Sequence, residues 1–216
     1  SDVVPETCEN FRCLCTGERG RGQSGKRLTY LGAVFHCVIP GFVAIGGDIT
    51  QGDGTGGESI YGYSFKDENF EVKHDSEGIL SMANSGPDSN GSQFLICCTA
   101  SPKLDGKNVA FGKALSTDVL KLIEACGSEA GDVSKRITIL DCGEVQQPGR
   151  QVKRLKRSQS AGDAAVVMVL QLLRKHKDCK KASSWREECI SCSKDEAQQL
   201  LENFRQVLCK MDGTQR

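Results

Sequence analysis

Residues 35–48, FHCVIPGFVAIGGD, contain two short apolar runs that are separated by Pro40-Gly41 and closed by Gly46-Gly47. Pro-Gly between two strand-forming runs is typical turn chemistry, so the stretch predicts a β-hairpin. Phe42 follows the turn directly, where its ring could form the floor of an apolar cleft. An ordinary buried hairpin has the same pattern, so this stretch alone does not distinguish a structural role from a binding role.

The distribution of charge predicts two units along the 216 residues. Residues 1–149 carry 13 Lys and Arg against 20 Asp and Glu, whereas residues 150–216 carry 15 against 8. This change of sign predicts a junction near residue 148. The apolar fraction of 38% is typical of a globular protein, and no apolar run approaches the roughly 18 residues of a membrane span.

The twelve cysteines are irregularly spaced, and only Cys189 and Cys192 form a CxxC unit. A zinc site normally needs paired units of this kind, so we predict no metal site and no cofactor. Reduced thiols packed as small apolar side chains are the preferred interpretation, which favours a cytoplasmic or, alternatively, a nuclear location.

Local patterns predict many short strands and two helices. Apolar residues at helical spacing follow Pro5 and stop at Gly17, and a second helix is expected after a Thr117 cap, ending at Gly127. Beyond the hairpin, strands are expected at residues 78–83, 93–97, 109–113 and 137–140. The glycine-rich residues 46–57 are assigned to a surface loop, because no amphipathic helix follows them as in a phosphate-binding loop. Such a series fits a closed antiparallel barrel with a helix over each end.

Four further motifs follow the hairpin in order: GTGGESIYG at 54–62, FKDENF at 65–70, GILSMAN at 78–84 and NGSQF at 90–94. Together with residues 35–48 they resemble the cyclophilin family of peptidyl-prolyl isomerases over residues 1–145. The resemblance implies a mainly β fold, an antiparallel eight-stranded barrel capped by two helices. The segment that would supply the first two strands is missing here, so another segment would have to fill the gap or two strand edges would remain open.

The resemblance also implies a site for X–Pro peptides. Cyclophilins place an arginine directly after the histidine of residues 35–48, and here that position is Cys37. The implied catalytic positions are Cys37, Phe42 and Gln93. The implied substrate-binding positions are His36, Val43, Ile45, Ala83, Asn84, Leu95, Lys103, Leu104 and Asn108.

Several of these positions depart from the family pattern. Val43 and Leu95 replace a Met and a Phe, and Ile45 replaces a Gln that binds the peptide backbone. Lys103 replaces a Trp, and Asn108 replaces a His. Neutral drift on the same barrel is one interpretation of each change, and a redox-sensitive thiol is the alternative for Cys37. We also hypothesise that Lys103 serves as a substitute cation.

The remainder of the chain divides into a basic linker at 146–163 and a C-terminal segment at 164–216. An apolar run, a basic loop, SSWR at 183–186 and a capped helix, at about 164–210, resemble the first half of a parvulin domain. The resemblance implies a small strand-loop-helix segment in which Lys175, Lys180 and Lys181 could bind the phosphate of a phospho-Ser/Thr-Pro motif. A solvated charge run is the alternative.

We therefore predict a cyclophilin-type peptidyl-prolyl cis-trans isomerase that binds X–Pro peptides, assists protein folding and has weakened catalysis because Cys37 replaces arginine. The alternative is a non-enzymatic module that binds proline motifs as a scaffold. Proline-containing peptides or proteins are the expected partners, whereas a membrane or nucleic-acid partner is not expected.

Overall fold

The computed structural model describes residues 3–144 and 166–167. The chain divides into two compact units, Ser1–Arg174 and Lys175–Arg216, and every described residue lies in the first. The described residues of that unit form one seven-stranded sheet, two α-helices and a short 3₁₀ helix. None of the helices formed by described residues is both long enough and apolar enough to cross a membrane.

Helix α1, Pro5–Thr16, packs an apolar face against the sheet. Proline suits the first helical turn because its missing N–H has no partner there, and Gly17 ends the helix in the left-handed conformation with φ of 67°. Phe11 is completely buried, and its ring lies 4.9–5.3 Å from the rings of Tyr30, Phe94 and Phe111. This aromatic cluster anchors the helix to the core.

Residues 35–48 form the predicted hairpin. Strand β1, Val34–Ile39, pairs antiparallel with β2, Val43–Gly46. The turn closes through a 3.0 Å bond from the Phe42 N–H to the Ile39 carbonyl, with Gly41 at φ of 71°. An irregularity between Phe35 and Cys37 shifts the register, so that Cys37 lies opposite Ile45.

The other strands are β3, Ile79–Met82; β4, Phe94–Cys97; β5, Ala110–Lys113; β6, Ile137–Thr138; and β7, Val166–Val167. Their order in the sheet is β5-β3-β4-β2-β1-β6-β7, and every pairing is antiparallel except β6 with β7. The prediction of a mainly antiparallel sheet with two helices is confirmed. The sheet is open: in the described part of the chain, β5 and β7 are its two edges.

The two faces of the central strands belong to different clusters. Because side chains alternate along a strand, Ala44, Phe94 and Ile96 point into the main core under α1. Val43, Leu95 and Cys97 point to the opposite face and form a second, smaller cluster, completed by Ile79 and Ala110. The candidate site is built on this second face.

Several predicted boundaries differ from the structure. Helix α2, Asp118–Glu124, ends earlier than Gly127 because its last turn tightens into i+3 bonds, such as Gly127 N–H to the Glu124 carbonyl. Thr117 occupies the N-cap position but makes no side-chain cap, whereas Ser116 Oγ accepts from the Asp118 N–H at 3.2 Å. Strand β6 is shorter than predicted, and Ile139 bonds instead to Ala33.

The predicted C-terminal segment lies outside the described residues apart from Val166–Val167. These two residues pair in parallel with Ile137 and Thr138 and so extend the sheet beyond β6. The domain boundaries and the parvulin-like segment stay predictions.

Candidate functional site

An apolar cluster of buried and partly buried side chains lies on the second face of the sheet, and we call it the slot. Val43 and Leu95 are 1% and 3% exposed, and the partly buried Phe42, Ile45 and Leu104 pack against the same cluster. Ile45 lies opposite Leu95 in the β2–β4 pair, so the strand register brings these two side chains together. The structure thus gathers five of the predicted site positions around one apolar surface.

Lys103 covers the aromatic ring of this slot. Its ammonium nitrogen lies 3.3 Å from the centroid of the Phe42 ring. Lys103 is exposed and belongs to the 3₁₀ helix Pro102–Leu104, which follows β4 and ends beside the slot. A cation over an exposed aromatic face is worth about 0.5–1 kcal/mol. Within the described part of the chain, its ammonium has no carboxylate at ion-pair distance.

Cys37 is a half-buried, neutral thiol. Burial, and secondarily the negative charge of Asp132, raises the pKa of Cys37 above its usual value. A Cβ atom at Gly131 would lie only 2.7 Å from its sulfur, so the side chain rests against that glycine. A redox-reactive thiol needs a lowered pKa, and the direction here is the opposite.

Gln93 is held by two backbone carbonyls of the glycine-rich loop. Its Nε2 donates to the oxygens of Gly54 and Gly56, each at 2.8 Å. Both amide protons are therefore used, and Oε1 remains as the acceptor of the side chain. Gln93 lies immediately before β4 and two residues before Leu95. Because side chains alternate between the two faces of a strand, Gln93 and Leu95 are on the same face.

Asp48 organises the loop that holds Gln93, and the sequence analysis did not identify it. Its carboxylate accepts from the backbone N–H groups of Thr50, Gln51, Gly54 and Gly56 at 3.0–3.1 Å. Burial alone would raise the pKa of Asp48, but these four bonds together lower it below its usual value. Asp followed two residues later by Thr is typical of a turn with side-chain to backbone bonds, and this signal could have identified it.

His36 lines a cavity of about 910 Å³ together with Val34, Lys135 and Arg136. Burial lowers the pKa of His36, although the charges of Asp48 and Asp53 oppose this shift. A Cβ atom at Gly54 would lie 2.6 Å from its Nε2, which explains why a glycine stands at that position.

Three of the predicted substrate-binding positions, Ala83, Asn84 and Asn108, make bonds to the backbone. The Ala83 N–H donates to the Gln93 carbonyl at 3.0 Å. Asn84 Nδ2 donates to the Lys107 carbonyl at 2.8 Å, and Asn108 Nδ2 donates to the Met82 carbonyl at 2.9 Å. These bonds tie the loop after the 3₁₀ helix to β3. The side-chain amides of Asn84 and Asn108 are therefore used within the protein.

A group of three potential metal ligands lies elsewhere, on α1 and the loop after it: Glu9, Cys13 and Glu18. The guanidinium of Arg12 lies at 2.8 Å from Glu9 and 2.5 Å from Glu18. The acidic charge of this group is therefore partly neutralised by a cation of the chain itself. The predicted phosphate-binding lysines, Lys175, Lys180 and Lys181, lie outside the described residues.

One comparison with known proteins bears on this geometry. The family model described as cyclophilin type peptidyl-prolyl cis-trans isomerase/CLD matches residues 1–144. That range contains every residue of the slot, the loop that holds Gln93 and both helices. The match covers two thirds of the 216 residues. The chain belongs to the cyclophilin-type peptidyl-prolyl cis-trans isomerase family.

Proposed function

We propose that this protein binds X–Pro peptides in the slot beside Phe42 and isomerises their prolyl bonds slowly, as an aid to protein folding. The observation that carries the proposal is the combination of an apolar slot with Gln93, whose Oε1 is left as an acceptor at the same face. The partly buried residues of this cluster, Phe42, Ile45 and Leu104, offer an apolar surface for a proline ring, while the amide oxygen can accept a peptide N–H.

The chemical step requires more than binding. Rotation about an X–Pro bond faces a barrier of about 18–20 kcal/mol, because the planar amide loses resonance. The prolyl nitrogen gains lone-pair character as the bond twists, so a donor aimed at that nitrogen stabilises the transition state more than the ground state. The protein's part is to hold the ring, fix the peptide backbone and supply this donor.

Cys37 supplies that donor poorly. A neutral thiol is a weak hydrogen-bond donor without charge, and the raised pKa of Cys37 keeps it in this form. Loss of one preorganised donor typically reduces the rate by about 10²–10³. We therefore expect turnover well below that of an enzyme with arginine at this position.

A non-enzymatic proline-binding module is the second candidate. Two observations favour this candidate. Cys37 is a weak donor, and its raised pKa keeps the thiol protonated. Ile45, opposite Leu95, is apolar at a position where a hydrogen-bonding side chain would help to orient the peptide. A partner carrying a phospho-Ser/Thr-Pro motif, recognised through Lys175, Lys180 and Lys181, belongs to this candidate.

Exchange spectroscopy by NMR on an X–Pro tetrapeptide tests both candidates, because it measures isomerisation without a coupled protease. Chemical-shift titration of the same peptide measures binding. Binding with slow turnover supports the first candidate, and binding with no turnover supports the second. Absence of binding would contradict both, and turnover at an ordinary enzymatic rate would contradict the weakened catalysis.

Cys37→Arg provides the sharpest test of the missing donor, with Cys37→Ser as its matched control. We expect the arginine variant to raise the isomerisation rate about 10²-fold, because a charged donor returns beside the slot. The serine variant places a neutral hydroxyl there and should gain far less. Equal rates in the two variants would show that a positive charge at residue 37 does not limit turnover.

A further inference from the structure

The surface that would receive a proline ring is occupied by a side chain of the protein itself. The Lys103 ammonium lies 3.3 Å from the centroid of the Phe42 ring and covers one of its faces. Phe42 is one of the partly buried residues packed on the apolar cluster, so the ring has limited freedom to turn away. A proline ring stacked on the covered face must displace the ammonium.

The backbone that carries Lys103 is well fixed. The Leu104 N–H bonds to the Ser101 carbonyl and the Asp105 N–H to the Pro102 carbonyl, each at 3.0 Å. Leu104 packs on the apolar cluster below. Displacement therefore moves the lysine side chain and not the helix, so the ammonium stays at the rim of the slot.

A displaced ammonium at the exposed rim would be hydrated and free to pair with a nearby anion. Within the described residues no carboxylate lies at ion-pair distance from Lys103. The nearest acid along the chain, Asp105, directs its Oδ1 to His74, at 2.9 Å from the His74 N and 2.8 Å from the His74 Nδ1, and is not at ion-pair distance from Lys103. An anionic group on the bound peptide is the partner that the site leaves room for.

We propose that Lys103 makes the slot selective for peptides in which an acidic residue, Glu or Asp, adjoins the proline. The lysine has two effects. Over the Phe42 ring, its ammonium competes with any proline ring for the same face. Once a proline ring has displaced it, the ammonium pairs at the rim with a carboxylate next to that proline. An uncharged peptide must still displace the ammonium but gains no ion pair with it. This inference rests on the proposed binding of X–Pro peptides to the same slot.

The size of both effects follows from their exposure. Release of a cation from an exposed aromatic face should weaken binding of an uncharged peptide by about two- to fivefold. An exposed ion pair should strengthen binding of an acidic peptide by a factor in the same range. Added salt should reduce the second effect, since the Debye length falls from about 10 Å at 0.1 M to about 3 Å at 1 M.

The test titrates the full chain with blocked tetrapeptides that differ only beside the proline: Ala-Pro, Glu-Pro, Pro-Glu and Lys-Pro. Wild-type protein should bind one or both of the Glu peptides about two- to fivefold more tightly than the Ala peptide, and the Lys peptide least tightly. Lys103→Ala should remove this order and also bind the Ala peptide about two- to fivefold more tightly than wild type. Lys121→Ala removes an exposed charge from α2 and should preserve the wild-type order.

The outcomes separate this inference from the function on which it rests. If no peptide binds wild type or Lys103→Ala, the proposed function fails. If the peptides bind without a charge preference, or the preference survives in Lys103→Ala, only the selectivity is overturned. A slower isomerisation of the Ala peptide in Lys103→Ala, without tighter binding, would instead make Lys103 a substitute cation for the reaction and overturn its role as a competitor.

Discussion

Replacement of Asp48 by asparagine tests whether the glycine-rich loop positions Gln93. Asp48 is 2% exposed, and its two oxygens accept from four backbone N–H groups. An asparagine side chain at this position would keep one oxygen and replace the other by an NH₂ group, which donates instead of accepting. Two of the four N–H groups would then face a donor.

The magnitude follows from those two bonds. A hydrogen bond to a charged group contributes about 1.5–3 kcal/mol, so loss of two corresponds to about 3–6 kcal/mol. Gly54 and Gly56, which donate to Oδ2, are partly exposed, so water can replace part of the loss. We therefore expect Asp48→Asn to lower the free energy of unfolding by about 2–4 kcal/mol.

Two assays separate stability from positioning. Urea unfolding measures the first, and titration with an X–Pro peptide under fully folding conditions measures the second. Because the Gly54 and Gly56 carbonyls hold the Gln93 amide, a disordered loop should weaken peptide binding as well. Asp53→Asn is the matched control, since Asp53 is exposed in the same loop and bonds to Thr55.

The reasoning is refuted if Asp48→Asn unfolds at the same urea concentration as Asp53→Asn. Lower stability with unchanged peptide affinity would retain the structural role of Asp48 but refute its link to Gln93.

Three further predictions concern the same unit. The pKa of Asp48 is lowered in the folded state, so its contribution to stability is complete above the unfolded pKa of 3.8 and is lost as pH falls through the lower folded pKa. Asp48→Asn should therefore show a weaker loss of stability at acid pH than wild type. Thermal unfolding between pH 2 and 6 measures this difference. Cys37 has a raised pKa, so its alkylation by iodoacetamide should be slow at pH 7 and should still be rising with pH at pH 9; rapid labelling at pH 7, located by peptide mass spectrometry, would contradict this. Phe11→Ala should cost about 3–5 kcal/mol in urea unfolding, because it removes a completely buried ring that three other aromatic rings contact. A loss below about 1 kcal/mol would show that α1 contributes little to the core.

The elements that depend on neighbouring residues could be predicted from the sequence. Pro5, Gly17 and the apolar spacing between them define α1, and Pro40-Gly41 defines the hairpin, because turn and helix chemistry act over a few residues. Element ends were less accurate: α2 stops at Glu124, where the last turn tightens, and β6 ends at Thr138. Such ends depend on tertiary contacts as well as on local preference.

The composition of the slot was also available from the sequence, since the motifs identify which side chains stand at each position of a known family. The interactions between those side chains were not. Asp48 reaches Gly56, which in turn accepts from Gln93, 37 residues further along the chain. No periodicity or motif encodes a bond over that distance, because it exists only once the strands have paired.

The sequence by itself determined the family, the helix and hairpin positions and the identity of the residue that replaces arginine, because each of these depends on residue types at short spacing. Only the tertiary structure decided that the described sheet is open, that burial raises the pKa of Cys37 and that Lys103 lies over Phe42. These three properties depend on contacts between residues that are distant in sequence, such as Phe42 and Lys103, which are 61 residues apart. Such contacts, and the burial that shifts a pKa, exist only in the folded protein.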